Sequence, residues 1–502
     1  MPFPFSLPTT SHLTLQTRLI SSTHPSLPAN ATSTRNFVRS GLKAHKQLPQ
    51  AQQSGNLNTL LNVLNEYIPY LLTLDAGLSG RPVSGESIDV TLLKEIEVEW
   101  RPTLSSSASL LGRDSARVLG KGLDFEIYSV LQALATVHSL LGRVSVLKLY
   151  APSSSASDSY SISSSQPRTL ALQTASKHFV TAHSIHNHLL HLTNNSTDGT
   201  TAFPAEAVDV QAVTQSCLAE LSITEATLLF VFKDDPYPAL LQQSRDKNDR
   251  EWMVKAPEVP QVRAHLFARL CFGAAEHASK AAGSARSARG DGSKGLTKDL
   301  VTYCEDLRMT ARARGCRFLG LDSESVGKTG EGIAWLRAGM NELGIEAVAG
   351  GDSGTKISLS RLKASWTEKK EERNIEKGRM QEWGSDAGKS EEGRILEWLE
   401  KKWTKQNDTV NVQLIPDHKT LSDQIPSGRE AFSSGLGTWV PKLLDEETLA
   451  RMRTPLERRS IDEDPSSGDD DAAVRQDREK GEKRAPAGAF PGTRAEYDGG
   501  YY

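Results

Sequence analysis

Gly327-Lys328-Thr329 is the ending of a phosphate-binding loop, in which glycine-freed backbone amides and a lysine surround the phosphates of a nucleotide. That loop needs another glycine five positions before Gly327. Asp322 stands there, and Gly320 lies two residues too far away. No apolar strand leads into the triplet, so the spacing predicts a connection between helices instead. A second group with chemical capacity is His178, His183, His186, His188 and His191. His183 with His186, and His188 with His191, are three apart, a spacing that lets imidazoles on one helix face share a zinc ion. No carboxylate stands among them and no H-E-x-x-H occurs, so the expectation is polar or capping histidines and no metal. Cys217, Cys271, Cys304 and Cys316 form no C-x-x-C pair and read as reduced, mostly buried thiols. No G-x-S-x-G elbow is present, and no serine or cysteine is flanked by a recognisable His/Asp set. Catalysis is disfavoured.

The elements that must position these residues are helices. Residues 57–78 place Leu57, Leu60, Leu61, Leu64, Ile68, Leu71 and Leu72 at spacings of three and four, one apolar stripe with Pro69 as a kink. Helical patterns continue over residues 125–149, 169–192, 208–232, 262–282, 296–313, 333–343 and 357–398. Ile96-Glu97-Val98-Glu99-Trp100 alternates apolar with acidic and predicts a short half-buried strand. Residues 1–55 scatter their apolar side chains among Pro, Ser, Thr and Gln, and read as an irregular or strand-like lead-in. Loops are expected in the Ser-rich stretch 153–166 and the Gly/Ser/Arg stretch 280–295. The charged stretch 361–405 reads as a solvated helix with Trp366, Trp383, Trp398 and Trp403 on its inner side. Hydrophobicity collapses from about residue 444. A folded body over 1–444 and a disordered charged tail over 445–502 are therefore expected.

With 502 residues, 37% of them hydrophobic, the chain has material for a large core. Its net charge of −3 supplies no field to attract nucleic acid, so none is expected as a partner. No run of about 18 apolar residues occurs, and no membrane span is expected. The opening MPFPFSLPTT lacks the basic and apolar regions of a secretory leader. No strict repeat is visible, yet long helices joined in sequence favour a solenoid-like stack.

Several of these segments, taken in order, resemble the Bro-one (BRO) domain of ESCRT-associated scaffold proteins, the ALIX-type family. Phe125-Glu126-Ile127-Tyr128-Ser129-Val130-Leu131 followed by residues 135–142 is similar to that family's FEKASVLFN…ALYSQLG helix. Residues 175–182 resemble its next helix, and residues 221–226 a degraded LAQAQE. Gly330-Glu331-Gly332-Ile333-Ala334-Trp335-Leu336 matches GEEIARL. Residues 407–417 resemble NDFIYHDRVPD, the extended segment that closes the domain.

The resemblance implies a mostly α protein: a curved tetratricopeptide-like helical solenoid with a small N-terminal β-sheet, no enzymatic activity and no cofactor. The opening residues and the short remainder after the domain are most similar to the family's fungal members of alkaline ambient-pH signalling. That implies a cytoplasmic adaptor recruited to cortical plasma-membrane sites or endosomes, with peripheral membrane association through ESCRT-III. It would bind the amphipathic C-terminal helix of the Snf-seven type ESCRT-III subunit, meet other pH-signalling components, and promote activation of the PacC transcription factor by a separate protease. General endosomal sorting is the alternative role. Carried over by motif, the family's hydrophobic patch falls on Leu228, Leu266 and Leu270, with Lys177 and Arg269 offering positive charge. An acidic residue and a lysine that flank the patch in the family are replaced near Thr169 and Gln173 by uncharged side chains.

Overall fold

Polar residues do not stop the first helix. In α1 (Leu27–Gln47) the hydroxyls of Thr32, Thr34 and Ser40 turn back onto the carbonyls of Pro28, Asn30 and Asn36 at 2.8, 3.0 and 2.8 Å. Leu27, Ala31, Val38 and Leu42 then form one buried stripe. A stretch read as irregular is thus an amphipathic helix whose apolar face is built partly from small residues. The computed structural model describes residues 1–106, 115–149, 165–195, 203–245, 263–288, 295–345, 384–432 and 439–453.

α2 (Gln50–Leu78) runs through Pro69 without ending. Two antiparallel ribbons accompany these helices, with three of their four strands between α2 and α3 (Gly122–Leu147) and the fourth before α1. In one, β1 (Leu19–Ser21) pairs with β2 (Val90–Leu92), placing Leu19 opposite Leu92. In the other, β3 (Glu97–Trp100) pairs with β4 (Val118–Lys121), placing Trp100 opposite Val118. The alternating Glu97–Trp100 segment is the strand its pattern predicts. Gly122, at φ 83°, makes the left-handed turn that delivers β4 into α3.

From there the chain is a succession of helices: α4 (Ser165–Asn195), α5 (Ala212–Lys233), α6 (Tyr237–Arg245), α7 (Ala264–Ser287), α8 (Lys298–Ser325), α9 (Thr329–Glu342) and α10 (Lys389–Gln406). Each long helix packs on the one before it, α1 to α5, then α5 on α7, α7 on α8, α8 on α9 and α9 on α10. This sequential stacking is the solenoid order expected from the sequence. α7 extends to Ser287, past the expected loop start at Lys280, because Ala281, Ala282 and Ala285 are buried as a small-residue stripe. α3 and α5 are long and apolar enough to cross a membrane by composition, but 72% and 83% of those stretches are buried inside the protein, as befits core helices.

Two large cores result. The N-terminal one joins α1, α2, α3 and the ribbons, and the C-terminal one joins α5, α7, α8, α9 and α10. After α10 come a short helix, α11 (His418–Leu421), an extended segment, and α12 (Glu446–Met452). α12 begins one residue beyond the position where the tail was expected to start at 445. Asp445 caps it by accepting from Thr448 N–H at 2.7 Å, and Leu449 and Met452 are buried with the N-terminal core. The Ser26 hydroxyl donates to the Met452 carbonyl at 3.0 Å, so the last described helix closes onto the start of α1. The expected loop at 153–166 falls largely outside the described residues, as do Trp366, Trp383 and the tail from 454.

Candidate functional site

The residues with the strongest chemistry lie inside the cores and are already engaged. Glu126 on α3 accepts from Arg35 Nε at 2.8 Å, Tyr67 Oη at 3.2 Å and Trp100 Nε1 at 2.7 Å. Arg317 on α8 donates to Glu392 on α10 and to Asp235 after α5, each at 2.5 Å, and Arg314 adds a 2.9 Å bond to Glu392. Glu225 on α5 accepts from Tyr303 Oη at 2.6 Å and from the Phe3 amide at 3.0 Å. Burial pushes its carboxyl up to about 7, since neutral donors recover only part of the lost hydration. An acid–base group needs both a shifted pKa and access to a reactant. Glu225 is 1% exposed. These clusters hold helices together.

The five histidines of α4 do not converge. His183 Nδ1 lies 2.8 Å from the Ala219 carbonyl, and His186 Nδ1 lies 2.7 Å from Gln215 Oε1. His178 faces His138 at 3.0 Å, and His188 stacks edge-on against Trp439. Burial lowers the pKa of His138 and His186 to about 4, with a small further push on each from a neighbouring histidine. Gly327-Lys328-Thr329 forms the α8–α9 turn, with Gly327 at φ 81° and Lys328 paired to Glu331 at 3.4 Å. It is the helix connection that its spacing predicts.

The residues assigned by resemblance lie on α4, α5 and α7. The last two helices run antiparallel in a register read from three contacts: Ser216 with Ser284 at 3.4 Å, Glu220 with His277 at 2.6 Å, and the Thr224 hydroxyl with the Ala274 carbonyl at 3.5 Å. Continuing that register sets Leu228 opposite Leu270. Both are core residues, 0% and 3% exposed. They support the surface from beneath. Leu266, one turn before Leu270, is half-buried and packs on the edge of the C-terminal core. The register also brings Phe230, 37% exposed, to the level of Leu266. Lys177 is exposed on α4.

Sequence reasoning missed a further component, the extended segment after α11. Its Arg429 amide donates to the Arg269 carbonyl at 2.9 Å, and Arg269 Nε donates to the Ser427 carbonyl at 3.1 Å. The segment is seated in a notch. A Cβ on Gly273 would lie 2.5 Å from the Arg429 carbonyl, and one on Gly428 would lie 2.7 Å from Gly273. Beyond the notch Phe432 meets Phe230 edge-on at 6.3 Å, while Lys233 lies over the Phe230 ring at 5.3 Å. Leu266, Arg269, Gly273 and Glu276 share one face of α7 by helical spacing. The face therefore offers partly exposed apolar side chains and a crossing backbone, with Arg269 and Lys233 at its edge, the latter paired to Asp234 at 3.7 Å. Neither Gly273 nor Phe432 carried a readable signal, because each matters only once residues 425–432 lie across α7.

No family model matches the chain. The pH-response regulator protein palC of Emericella nidulans is 41% identical over 528 aligned residues that cover all of both chains. Among solved structures, ALIX in complex with the SIVmac239 PYKEVTEDL late domain aligns with a TM-score of 0.52 at 16% identity, over 91% of this chain and 52% of that one. The likeness is one of fold, and the chain spans about half of that protein. A complex of the ALIX BRO1 domain with CHMP4C aligns with a TM-score of 0.49 at 15% identity, over 89% of this chain and 99% of that one.

Proposed function

The chain belongs to the family of the pH-response regulator protein palC, and we propose that it is a non-catalytic adaptor of ambient-pH signalling whose α5–α7 face receives an amphipathic helix. The observation that supports this reading is the half-buried apolar surface of Leu266, Phe230 and Phe432 beside the cations Arg269 and Lys233. A helix with apolar residues at i, i+3, i+4 and i+7 would cover the apolar part, and acidic residues beside them would meet the cationic edge. Lys177, exposed on α4, would add positive charge for the same partner. Leu228 and Leu270 hold the floor rigid. The occupant proposed is the C-terminal helix of the Snf-seven type ESCRT-III subunit. Through that polymer the adaptor would be recruited from the cytoplasm to cortical or endosomal membrane and would promote PacC processing by a separate protease.

Leu266→Asp tests the reading. A carboxylate dried by the incoming helix should weaken binding at least tenfold, about 1.4 kcal/mol or more. Titration of a labelled peptide of that terminal helix, with thermal melting as a check of the fold, reads the effect. Arg269→Glu is the second variant and should act mainly through association rate and salt dependence. Capture of the peptide by both variants as by the parent would remove this face from the interface. In cells, alkaline sensitivity with normal cargo sorting on deletion separates pH signalling from general endosomal sorting.

A further inference from the structure

Residues 425–432 touch the same side chains to which the partner helix is assigned. Arg269 Nε, offered to a partner carboxylate, donates to the Ser427 carbonyl at 3.1 Å, and the Arg269 carbonyl accepts the Arg429 amide at 2.9 Å. Phe230, level with Leu266, is met by the Phe432 ring at 6.3 Å. Phe432 in turn packs against the apolar cluster that α4 and α5 build from Leu172, Phe179, Leu229 and Phe232. Gly273, about two turns beyond Leu266, lies under the Arg429 backbone. This extended strap stands on the face as a bound peptide would, using an Arg side chain, an aromatic and a close backbone approach.

A helix laid along the α5–α7 groove meets that strap. α7 starts at Ala264 and α5 ends at Lys233, so a helix seated on Leu266 has groove ahead of it only toward Gly273. Anchors at i and i+7 are about 10 Å apart, the rise that also separates Leu266 from Gly273. The last anchor arrives where the strap crosses, at a point so close that neither Gly273 nor Gly428 has room for a Cβ. We propose that residues 425–432 are a built-in competitor for the α5–α7 face, lifted when the partner helix binds; this rests on the adaptor reading above. The strap's hold suits that role. Ser427, Arg429 and Glu430 are exposed, and among the described residues both hydrogen bonds between the strap and α7 are made with Arg269. Ile425, Ala431 and Phe432 are only partly buried, and an incoming helix would replace their contacts. An interior glycine weakens α7 relative to alanine, and what Gly273 provides in return is the seat of the strap. A seated strap lowers the apparent affinity for the partner by the fraction of molecules whose face is open.

Two alanines test it from opposite sides of the notch. Gly428→Ala changes the strap and leaves α7 unaltered, while Gly273→Ala changes α7 and leaves the strap unaltered; each puts a methyl where there is no room and should unseat the strap. Titration of the full chain with the labelled terminal-helix peptide should show both variants binding at least about fivefold tighter than the parent, with thermal melting as the check of the fold. In the parent, hydrogen exchange at the Arg429 amide should quicken when the peptide is added, because its bond to the Arg269 carbonyl is given up. Equal affinity in all three forms, with the Arg429 amide still protected, would overturn the competitor and leave the adaptor reading standing. Tightening by Gly273→Ala alone would assign the effect to α7 and overturn it too, and weaker binding by both variants would make the strap part of the seat. Failure of all three forms to capture the peptide would overturn the adaptor reading and this inference with it.

Discussion

Asp235 and Glu225 are ten residues apart on and just after α5, both enclosed, and they ionise in opposite directions. Desolvation pushes both carboxyls up. At Asp235 the Arg317 guanidinium more than offsets this, through its charge and its hydrogen bonds, and the carboxyl ends below its ordinary value. At Glu225 the hydrogen-bond donors are a phenol and a backbone amide, the N-terminal ammonium and Arg143 act on it without a hydrogen bond, and the carboxyl ends at about 7. Burial alone does not decide whether a buried acid is charged; the charge of the donor does. The helical stack thus uses two kinds of internal pin. One is an ion cluster that ties α8 to α10 and the end of α5. The other, near neutral pH, is a carboxyl part-way between acid and anion that ties α5 to α8 and to the N-terminal segment.

The largest test of that contrast is Arg317→Met. It strands the buried carboxylate of Asp235 and leaves Glu392 with Arg314 alone, and should cost about 3–5 kcal/mol in denaturant unfolding. A loss no greater than that of a neutral-pin variant would erase the distinction. The second test is pH. A carboxyl raised from 4.5 to about 7 holds its proton in the fold after the unfolded chain has released it, so its contribution to stability falls as pH rises across that window. The full effect is on the order of 3 kcal/mol. Glu225→Gln should remove this fall. It should leave the opposite limb, where His138 and His186, lowered to about 4, drain stability as pH drops from 6.5 toward 4. The two contributions oppose each other over much the same range, so the difference in melting temperature between parent and Glu225→Gln across pH reads the carboxyl, and no difference would mean that Glu225 keeps its charge. The smallest effect belongs to Tyr303→Phe, which removes one hydroxyl from Glu225 and should cost about 1–2 kcal/mol. It should also move the midpoint of the alkaline limb upward, by removing a bond that favours the ionised form.

The cores were readable where apolar residues were large. The stripes of α3, α5 and α9 and the alternation of Glu97–Trp100 each give a period that permits one kind of element. α1 escaped because much of its buried face is Ala, too small to mark a stripe, and Thr and Arg, which on average stay in water. Arg35 is buried only because Glu126, 91 positions away, is there to receive it. At the candidate site, helical spacing put Leu266 and Leu270 on one side of α7 but left open which of them faces solvent. The answer came from the α5 register, which turns Leu270 toward Leu228 and leaves Leu266 at the edge.

The sequence by itself determined the helical class, the order of the helices, the family resemblance carried by their motifs, and the helix-connecting nature of Gly327-Lys328-Thr329. These are local or ordered-by-chain properties, and periodicity or motif order records them directly. Only the tertiary structure decided which charges are paired, which leucines are surface, and that residues 425–432 cross α7 in a glycine notch. Each of those depends on what a distant segment brings to within a few ångströms, and a hydrogen bond or a steric notch has no period along the chain to announce it.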